Sequence, residues 1–544
     1  MLKYRLPPLI KNLMANLQHG PEASKPNDVT LLETHISWVI LTGSTAYKIK
    51  KPVNLGYLDF SALAQRQHYC EEELRLNDRL AEELYIGITP INGTEENPTI
   101  NGDGPIIEYA IHMRQFPQSA QLDNRLEQKL LTPENMASLA DLIATFHQRL
   151  PAADSQSEYG DVTAIQQAVD DNFKVLKEYF GTLPSHAEPQ DLSEDQKTLD
   201  QLQDWVAKQN EALRPTFIQR KQNGFIRECH GDLHLRNLIW LDDHPIAFDC
   251  LEFDESLRWT DVMCEVAFLV MDLMSKQQTA LAYAFLNQYL QHTGDYAGLA
   301  LLPYYISYRA LVRAKVDAQR HQQAGVSAHE LEATDTELRA YMDLALQITQ
   351  QQQPTLIITR GMSASGKSTI TQPLASELGA IRIRSDVERK RMHGLEARES
   401  AASEPNTGLY TEQADIETYG QLLNLAEQTL SAGFDVIVDA VFMHKAQREA
   451  FQALAESNGY RYVVLEFTAG IGTLRQRVKT REKEASDAGL TILEHQLSQW
   501  LPLQVDESSY RIEVNTESHV DMEALVKQLG KCLLYYQNCC RKHP

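Results

Sequence analysis

Residues 230–237 read His-Gly-Asp-Leu-His-Leu-Arg-Asn, and Ala247-Phe248-Asp249 follows a little further along the chain. The apolar residues before Asp249 are typical of a short buried strand, which places this aspartate at a strand end. Carboxylate and amide oxygens are ligands that Mg²⁺ prefers in proteins. Phosphoryl transfer from ATP needs little beyond such groups, because positioning and charge neutralisation supply most of the catalysis. The stretch therefore predicts a loop in which Asp232 takes a hydroxyl proton and Asn237 and Asp249 hold magnesium.

This Asp-x-x-x-x-Asn spacing with a downstream Phe-Asp resembles the aminoglycoside phosphotransferase and choline kinase superfamily. The resemblance covers roughly residues 30–345 and implies a protein-kinase-like, bilobal domain that uses ATP and Mg²⁺. It implies that Asp232 is the catalytic base, that Asn237 and Asp249 are the metal ligands and that His230 braces the loop. The acceptor is not implied, because the superfamily phosphorylates antibiotics, choline, sugars and thiosugars.

A domain of this kind needs a lysine for the ATP phosphates and a helix glutamate that holds the lysine. The early hydrophobic pattern predicts two strands and then a helix: Ile36–Leu41, Thr45–Lys50 and about Ala62 to Leu84. In Ala46-Tyr47-Lys48 the spacing fits the lysine of the third kinase strand. Lys50 points to the same face and is the alternative. Glu73, in the middle of the helix, is the predicted partner, although the neighbouring glutamates leave a solvated helix face as the other interpretation.

Residues 361–368, Gly-Met-Ser-Ala-Ser-Gly-Lys-Ser, form a complete Walker A motif between an apolar strand pattern and a helix pattern. The glycines let backbone N–H groups curl around phosphates at a helix N-terminus, where the dipole favours anions. Lys367 is predicted to reach the β and γ phosphates, and Ser368 to ligate magnesium. The predicted nucleotide-binding residues of this loop are Gly361, Ser363, Ser365, Gly366, Lys367, Ser368 and Thr369.

Residues 386–389, Asp-Val-Glu-Arg, favour a kinase rather than a simple ATPase. An Asp-x-x-Arg after the second strand resembles the acceptor site of polynucleotide-kinase and gluconate-kinase-like enzymes. The resemblance implies that Asp386 deprotonates the acceptor hydroxyl and that Arg389 binds the substrate. The alternative for Asp386 is a helix cap.

Two further features point the same way. Asp439 ends an apolar strand and is the Walker B candidate for a metal ligand, with a structural strand end as the alternative. The other feature is a predicted helix with recurring arginines, as in the lid of small kinases: Arg475, Arg477 and Arg481. Arg477 is the predicted nucleotide-binding residue among them, and an ordinary basic helix face is the alternative.

The string Gln350-Gln351-Gln352-Gln353-Pro354 is typical of an exposed domain boundary. We therefore predict a protein-kinase-like domain over residues 1–349 and a P-loop domain over residues 350–544. After the boundary strands alternate with helices, which indicates a parallel sheet. The fold class is thus α/β and α+β, with a bilobal kinase-like domain followed by a P-loop NTPase domain.

Composition sets the expected location and partners of the 544-residue chain. No apolar stretch approaches the roughly 20 residues that span a bilayer, and no secretory signal is evident, so a cytoplasmic protein is expected. The formal net charge is −23, most of it in the first 350 residues. That charge makes nucleic acid an unfavourable partner and favours a cationic acceptor at the N-terminal site.

The sequence thus predicts an ATP-dependent kinase with two sites, each transferring the γ-phosphate to a small-molecule hydroxyl. Two alternatives stay open. The P-loop domain could be a nucleotide-binding regulator of a single kinase, or it could act on nucleotide or polynucleotide ends.

Overall fold

The computed structural model describes residues 6–18, 29–56, 58–182, 194–322, 327–350, 353–395, 411–480 and 489–540. It begins with helix α1 (Pro8–Gln18) and an antiparallel sheet that carries helix α2 (Leu63–Ala81). The strands of the sheet are β1 (Thr30–Glu33), β2 (Ser37–Leu41), β3 (Thr45–Lys50), β4 (Tyr85–Thr94), β5 (Asn97–Ile100) and β6 (Ile106–Arg114). Their order across the sheet is β1-β2-β3-β6-β4-β5.

The predicted hairpin and helix are confirmed at the start of this sheet. β2 pairs with β3 so that Val39 lies opposite Lys48, and β3 pairs with β6 so that Lys48 lies opposite Ile111. A buried apolar cluster joins Ala46 of β3 to Cys70 of α2. This packing turns one face of β3 towards α2.

The chain from residue 118 to 350 is mainly helical. Its helices are α3 (Leu122–Glu127), α4 (Pro133–Arg149), α5 (Val162–Thr182), α6 (Glu194–Ala212), α7 (Arg214–Gln222), α8 (Glu255–Arg258), α9 (Val262–Ser275), α10 (Thr279–Thr293), α11 (Leu302–His321) and α12 (Ala328–Ile348). Its strands are β7 (Ile226–Glu228), β8 (Leu238–Leu241), β9 (His244–Ala247) and β10 (Trp259–Asp261). β8 and β9 form an antiparallel hairpin, and β7 pairs with β10.

A five-stranded parallel sheet dominates the remainder. Its strands are β11 (Thr355–Arg360), β12 (Ile381–Arg384), β13 (Val436–Asp439), β14 (Arg461–Thr468) and β15 (Arg511–Asn515). The helices are α13 (Lys367–Leu378), α14 (Ser385–Met392), α15 (Glu412–Ser431), α16 (Lys445–Asn458), α17 (Ile471–Thr480), α18 (Leu490–Gln499) and α19 (Met522–Cys540). The strand order is β12-β13-β11-β14-β15, and every residue of β11 and β13 is buried. The predicted fold class is confirmed, because an antiparallel, kinase-like part precedes a parallel α/β part.

Contacts group the chain into two compact units. The first unit contains Met1–Asp272 and Tyr308–Asp343, and the second contains Leu273–Ser307 and Leu344–Pro544. Residues 273–307, which precede the sequence-predicted boundary at 349/350, therefore pack with the P-loop sheet. The boundary itself stays a prediction about where one sequence domain ends.

Within the described residues no helix combines the length and apolar character that crossing a membrane requires.

Candidate active sites

The first site starts from the alternation of side chains along β3. Lys48 and Lys50 project from the same face of the strand, as a period of two dictates. Lys48 Nζ lies 2.7 Å from Glu73 Oε1, and Lys50 Nζ lies 2.7 Å from Glu73 Oε2. The lysine and glutamate predicted from sequence are thus brought together, and the alternative lysine shares the same carboxylate.

The loop that carries Asp232 is ordered by a buried histidine. His230 Nε2 lies 2.9 Å from the Phe248 carbonyl oxygen, so this nitrogen must donate. Its Nδ1 accepts from the Asp232 N–H at 3.3 Å, which fixes a neutral ring with the proton on Nε2. Burial lowers the pKa of His230, in agreement with the neutral form. The histidine links the loop to the strand end, which is the bracing that the resemblance implies.

Asp232 is half-buried and held by two side chains of its own loop. Asn237 Nδ2 donates to Asp232 Oδ2 at 2.9 Å, and His234 Nε2 lies 3.3 Å from the same oxygen. Burial acts to raise the pKa of Asp232, but the adjacent His234 and Arg313 hold it well below its ordinary value. The carboxylate is therefore ionised throughout the neutral pH range.

Helix α9 supports this loop through two buried carboxylates that the sequence did not single out. Glu265 Oε1 accepts from the Gly231 N–H at 2.8 Å, and Asp272 Oδ2 accepts from the Leu235 N–H at 2.9 Å. The other oxygen of Glu265 is 2.7 Å from His147 Nε2. Although burial opposes it, the bond to His147 lowers the pKa of Glu265 to about 2. A helix-period pattern alone cannot reveal such a role, since the partners are backbone amides.

Asp249 sits just beyond β9 in a left-handed backbone conformation, with φ of 62°. Its N–H donates to Tyr85 Oη at 3.3 Å, and its Oδ1 receives a hydrogen bond from Lys48 Nζ. Tyr85 is a further residue that the sequence did not indicate. Such a φ is uncommon for a residue other than glycine, and strained backbone is often found where a site over-determines it.

Asn237 and Asp249 lie at the same end of the β8–β9 hairpin, because the Phe248 N–H donates to the Asn237 carbonyl at 3.0 Å. Asn237 uses its Nδ2 on Asp232, and its Oδ1 accepts no hydrogen bond from a described residue. Asp249 Oδ2 likewise has no described donor, and the side chain is 41% exposed. One amide oxygen and one carboxylate oxygen are suitable donors for Mg²⁺.

The second site is a cavity of about 510 Å³ above the carboxyl ends of the parallel strands. Ligands bind at this edge in open α/β sheets. The predicted residues that line it are Ser363, Ser365, Gly366, Lys367, Ser368, Thr369, Asp386, Arg389, Asp439 and Arg477. Gly361 lies at the base of the loop and is not part of the lining.

Glycines 361 and 366 are needed for different reasons. A Cβ on Gly361 would lie 2.6 Å from Ser365 Oγ and 2.9 Å from the Phe467 carbonyl oxygen. Gly366 has a φ of 83°, a conformation that side chains disfavour, and it precedes the first residue of α13. Lys367 Nζ donates to the carbonyls of Gly361 and Met362 at 2.8 Å each. The loop thus wraps around the lysine at the start of the helix.

Asp386 lies in the first turn of α14 and has no hydrogen-bond donor among the described residues. Arg389, one turn later, donates through Nη2 to Asp415 Oδ1 at 2.8 Å, and Gln447 Nε2 lies 3.1 Å from Asp415 Oδ2. Asp415, a residue of α15, was not predicted from sequence. Both ends of the Asp-x-x-Arg pair face the cavity, but the arginine is already ion-paired.

Asp439 is buried and linked to a basic side chain of the neighbouring strand. Its Oδ2 receives hydrogen bonds from Arg382 Nη2 at 2.7 Å and Thr371 Oγ1 at 3.0 Å. Burial acts to raise the pKa of Asp439, yet Arg382 and Arg384 lower it to about 2. Its Oδ1 has no described donor, so Asp439 and Ser368 keep one oxygen each that suits Mg²⁺.

Of the three predicted lid arginines, Arg477 reaches the nucleotide loop. Its Nη1 lies 3.3 Å from the Ala364 carbonyl, and its Nη2 donates to the Thr516 carbonyl at 2.6 Å. Arg475 instead forms an exposed pair with Glu494, and Arg481 lies outside the described residues. Arg448 of α16 is buried, and its Nε lies 2.6 Å from Glu507 Oε1.

The edge strand β12 is completed by side chains of α10. Asn287 Nδ2 donates to the Ala380 carbonyl at 2.9 Å, and its Oδ1 accepts from the Arg382 N–H at 2.7 Å. Gln291, one turn along, contacts Arg384 and Arg391 on either side of Asp386 and Arg389. Helix α10 therefore supports the strand and helix that carry the candidate acceptor residues. No sequence motif marks these amides.

Family models match both parts of the chain. Residues 60–302 match the phosphotransferase enzyme family, and residues 356–503 match an AAA domain. The chain joins a phosphotransferase domain to an AAA domain. The phosphotransferase match contains Glu73, Asp232, Asn237 and Asp249, and the AAA match contains the Walker A loop together with Asp386, Arg389, Asp439 and Arg477.

Proteins that resemble nearly the whole chain occur in mycobacteria. The uncharacterized proteins Rv2004c of Mycobacterium tuberculosis and Mb2027c of Mycobacterium bovis are each 28% identical to it over 460 residues. Each alignment covers 85% of this chain and 88% of the relative. The similarity thus extends over most of each relative.

Among solved structures, Amicoumacin kinase hAmiN in complex with AMP-PNP, Ca2+ and Ami is 15% identical, with a TM-score of 0.35. That similarity covers 59% of this chain and 90% of the kinase. A gluconokinase from Sinorhizobium meliloti 1021 is 17% identical with a TM-score of 0.26, covering 36% of this chain and 100% of the gluconokinase.

Proposed function

We propose that this phosphotransferase is an ATP-dependent kinase with two sites, each of which transfers the γ-phosphate to a hydroxyl of a small molecule. The observation that carries the proposal is a continuous bonded chain in the phosphotransferase domain. Lys48 bonds both Glu73 and Asp249, and Asn237 bonds Asp232 through its side chain and Phe248 through its backbone. A lysine, a base and two metal-type oxygen donors are thereby held in one arrangement.

At the first site Asp232 would orient the acceptor hydroxyl and accept its proton late in the transfer. Its lowered pKa keeps it ionised but makes it a weak base. Orientation and electrostatic stabilisation are then the main contribution, as is usual for phosphoryl transfer. Lys48 would bind phosphate oxygens, because it is the more exposed of the two lysines.

Asn237 and Asp249 would hold magnesium at this site, and bound Mg²⁺ neutralises charge on the ATP phosphates. In the AAA domain Ser368 and Asp439 would hold the corresponding ion. There Asp386 would orient the second acceptor hydroxyl and Arg389 would contact the rest of that acceptor. Lys367, the loop amides and Arg477 would bind the nucleotide phosphates.

Charge supports a small-molecule acceptor. With a net charge of −23 the chain attracts cations and repels polyanions such as nucleic acid, so the first acceptor is proposed to carry a cationic group. At the second site Arg389 is paired with Asp415. Among the basic residues that line the cavity, Arg389 is the nearest to Asp386 in sequence. That pairing favours an uncharged hydroxyl compound over a polynucleotide end.

The test is transfer from γ-labelled ATP into a bacterial small-molecule extract, using wild type, Asp232→Asn and Lys367→Ala. We expect separate labelled products to disappear in the two variants, and mass spectrometry of each product then identifies its acceptor. No label in any small molecule from the wild-type protein would refute the proposal.

A second candidate function keeps chemistry at the first site only, with the AAA domain as a nucleotide-binding regulator. The ion pairs of Arg389 with Asp415 and of Asp439 with Arg382 favour it, because both occupy side chains that catalysis would use. In that case Lys367→Ala changes the affinity for the first acceptor, and Asp386→Asn removes no product.

A further inference from the structure

A second lysine, Lys50, lies beside the candidate nucleotide lysine and has no place in the mechanism above. Its Nζ contacts Glu73 Oε2 at 2.7 Å and also donates to Glu252 Oε1. Glu252 is on the same loop as Asp249, three residues further along. The two lysines therefore bond to the two oxygens of one glutamate, and each has a second carboxylate of its own on the loop after β9.

Burial separates the roles of the two lysines. The Lys50 side chain is 0% exposed and packs with its Nζ 5.0 Å from the centre of the Phe60 ring. Lys48 is 12% exposed, and its loop partner Asp249 is 41% exposed. Lys48 and Asp249 are therefore accessible to a ligand from solvent, whereas Lys50 and Glu252 face the protein interior.

The formal charges then give a simple account of Lys50. The network contains two cations, Lys48 and Lys50, and three carboxylates, Glu73, Asp249 and Glu252. When Asp249 serves as a metal ligand, the positive charges of the two lysines balance the negative charges of Glu73 and Glu252. Without Lys50, both buried glutamates would depend on Lys48, since a buried charge needs a partner.

We propose that Lys50 is a positioning residue that neutralises Glu73 and Glu252 and so leaves the charge of Lys48 for the nucleotide. Lys50 itself does not touch ATP. The proposal rests on the proposed function of the first site. Burial acts to raise the pKa of Glu73, but Lys48 and Lys50 together hold it below its ordinary value. Burial raises the pKa of Glu252, and Lys50 is the largest influence that acts to lower it.

The test is a titration of ATP·Mg²⁺ into the full chain carrying Lys367→Ala, which weakens the AAA site. Five further changes are compared in that background: Lys48→Met, Lys50→Met, Glu252→Gln, the double variant Lys50→Met/Glu252→Gln and its control Lys48→Met/Glu252→Gln. We expect Lys50→Met to weaken ATP binding by about 10- to 100-fold, the range typical of residues that orient a ligand group. Glu252→Gln alone should bind as tightly as the background protein.

The double variant is decisive, because it restores the charge balance without restoring Lys50. We expect its ATP affinity to return to within about threefold of the background, while Lys48→Met is not rescued by Glu252→Gln. A purely structural role for Lys50 predicts lost thermal stability without this recovery of affinity. If Lys50→Met does not fold, the ATP affinity of the double variant is compared with that of Glu252→Gln, and weak binding by the double variant still overturns the proposal.

The proposal is overturned if Lys50→Met binds ATP like the background, or if the double variant binds as weakly as Lys48→Met. Failure of the proposed function gives a different pattern. In that case Lys48→Met already binds ATP no more weakly than the background, and the charge-balance proposal falls with it.

Discussion

The two candidate sites of this chain differ in the groups that form them. The phosphotransferase site consists of charged side chains from positions 48, 73, 232 and 249, linked by ion pairs and hydrogen bonds across a sheet, a helix and two loops. The AAA site is mainly a loop of consecutive residues, 361–368, whose backbone curves around Lys367. The first depends on tertiary packing to bring charges together, and the second depends on local backbone conformation.

Because of this difference, we expect different kinds of substitution to abolish the function of each site. A side-chain site loses function when one charge is removed, because its neighbours are left buried and unpaired. A backbone site loses function when the path of the chain is blocked, whatever the charge of the new residue. Substitutions that separate charge from shape therefore test the comparison directly.

The largest effect is expected from Asp232→Asn, which removes a charge and little volume. Transfer at the phosphotransferase site should fall by about 10³-fold or more, because the base and the hydroxyl-orienting oxygen are lost together. The product of the AAA site should be unaffected. The measurement is the initial rate of formation of each labelled product.

Asp254→Asn is the matched control for that charge removal. Asp254 accepts from the Ser256 N–H at 2.8 Å as the N-cap of α8, and asparagine caps a helix equally well. Equal losses in the two variants would contradict the assignment of the base.

The next effect tests shape at the AAA site through Gly361→Ala. The added methyl group would meet the Phe467 carbonyl at 2.9 Å, so the loop must shift and its amides lose their positions. We expect nucleotide affinity at this site to fall by about 10²-fold, the cost of misplacing binding groups by roughly 1 Å. Isothermal titration in a Lys48→Met background isolates the AAA site.

Gly420→Ala adds the same methyl group at an exposed position of α15, where nothing lies within 4 Å. That control should bind nucleotide normally and gain up to about 1 kcal/mol of stability. A normal affinity in Gly361→Ala would mean that the loop is less constrained than the backbone argument requires.

A third test measures stability rather than function and asks whether a buried carboxylate of the phosphotransferase unit lowers its stability. Asp317 on α11 is buried, and its Oδ2 has no hydrogen-bond partner among the described atoms. Burial raises the pKa of Asp317 to about 6, against 3.8 in the ordinary state. Well below pH 3.8 both folded and unfolded chains carry the proton, so ionisation of Asp317 costs no stability. As the pH rises towards 6 the unfolded chain ionises first, and folding becomes less favourable.

Asp317→Asn should therefore stabilise the unit above pH 6 by up to about 3 kcal/mol, and the gain should vanish below about pH 3. Hydrogen-exchange protection of α11 at several pH values measures the change. Asp343→Asn, at an exposed position of α12, is the control with no expected gain. A stabilisation that is independent of pH would rule out the charge explanation.

The smallest effect concerns the amide that completes the AAA sheet. Asn287→Ala leaves the Ala380 carbonyl and the Arg382 N–H without their side-chain partner. We expect a loss of about 1–3 kcal/mol in the stability of β12, read as faster hydrogen exchange in that strand. Asn458→Ala, at the exposed end of α16, removes one exposed bond and should change nothing measurable. Equal exchange in β12 for both variants would show that α10 is dispensable.

The features that the sequence could predict are those of local motifs, whereas tertiary contacts escaped prediction. The Walker A loop was readable because its residues are consecutive and its strand and helix flank it. The resemblance to kinases implied a lysine paired with a helix glutamate, and the period of a strand and the centre of a helix placed Lys48 and Glu73 as that pair. The roles of Glu265, Asp272 and Asn287 could not be read, because each bonds to a backbone group that has no side-chain signature.

Arg389 and Asp439 show another limit of the sequence. Their motif positions were visible, but their partners Asp415 and Arg382 come from a different helix and a different strand. Lys50 was visible only as an alternative to Lys48. Burial, which decides between the two, is a property of how α2 and the Glu252 loop pack on β3.

Residues 273–307 have a practical consequence for dissecting the protein genetically. Because the chain enters the AAA unit at residue 273, leaves it at 308 and returns at 344, no single cut yields two whole units. A gene split at codon 350 would give an AAA fragment that lacks Asn287 and Gln291. Its inactivity would then reflect the loss of α10, which bonds to β12, rather than dependence on the other unit. Genetic complementation should therefore use two full-length genes, each with a point substitution in a different unit, rather than two gene fragments.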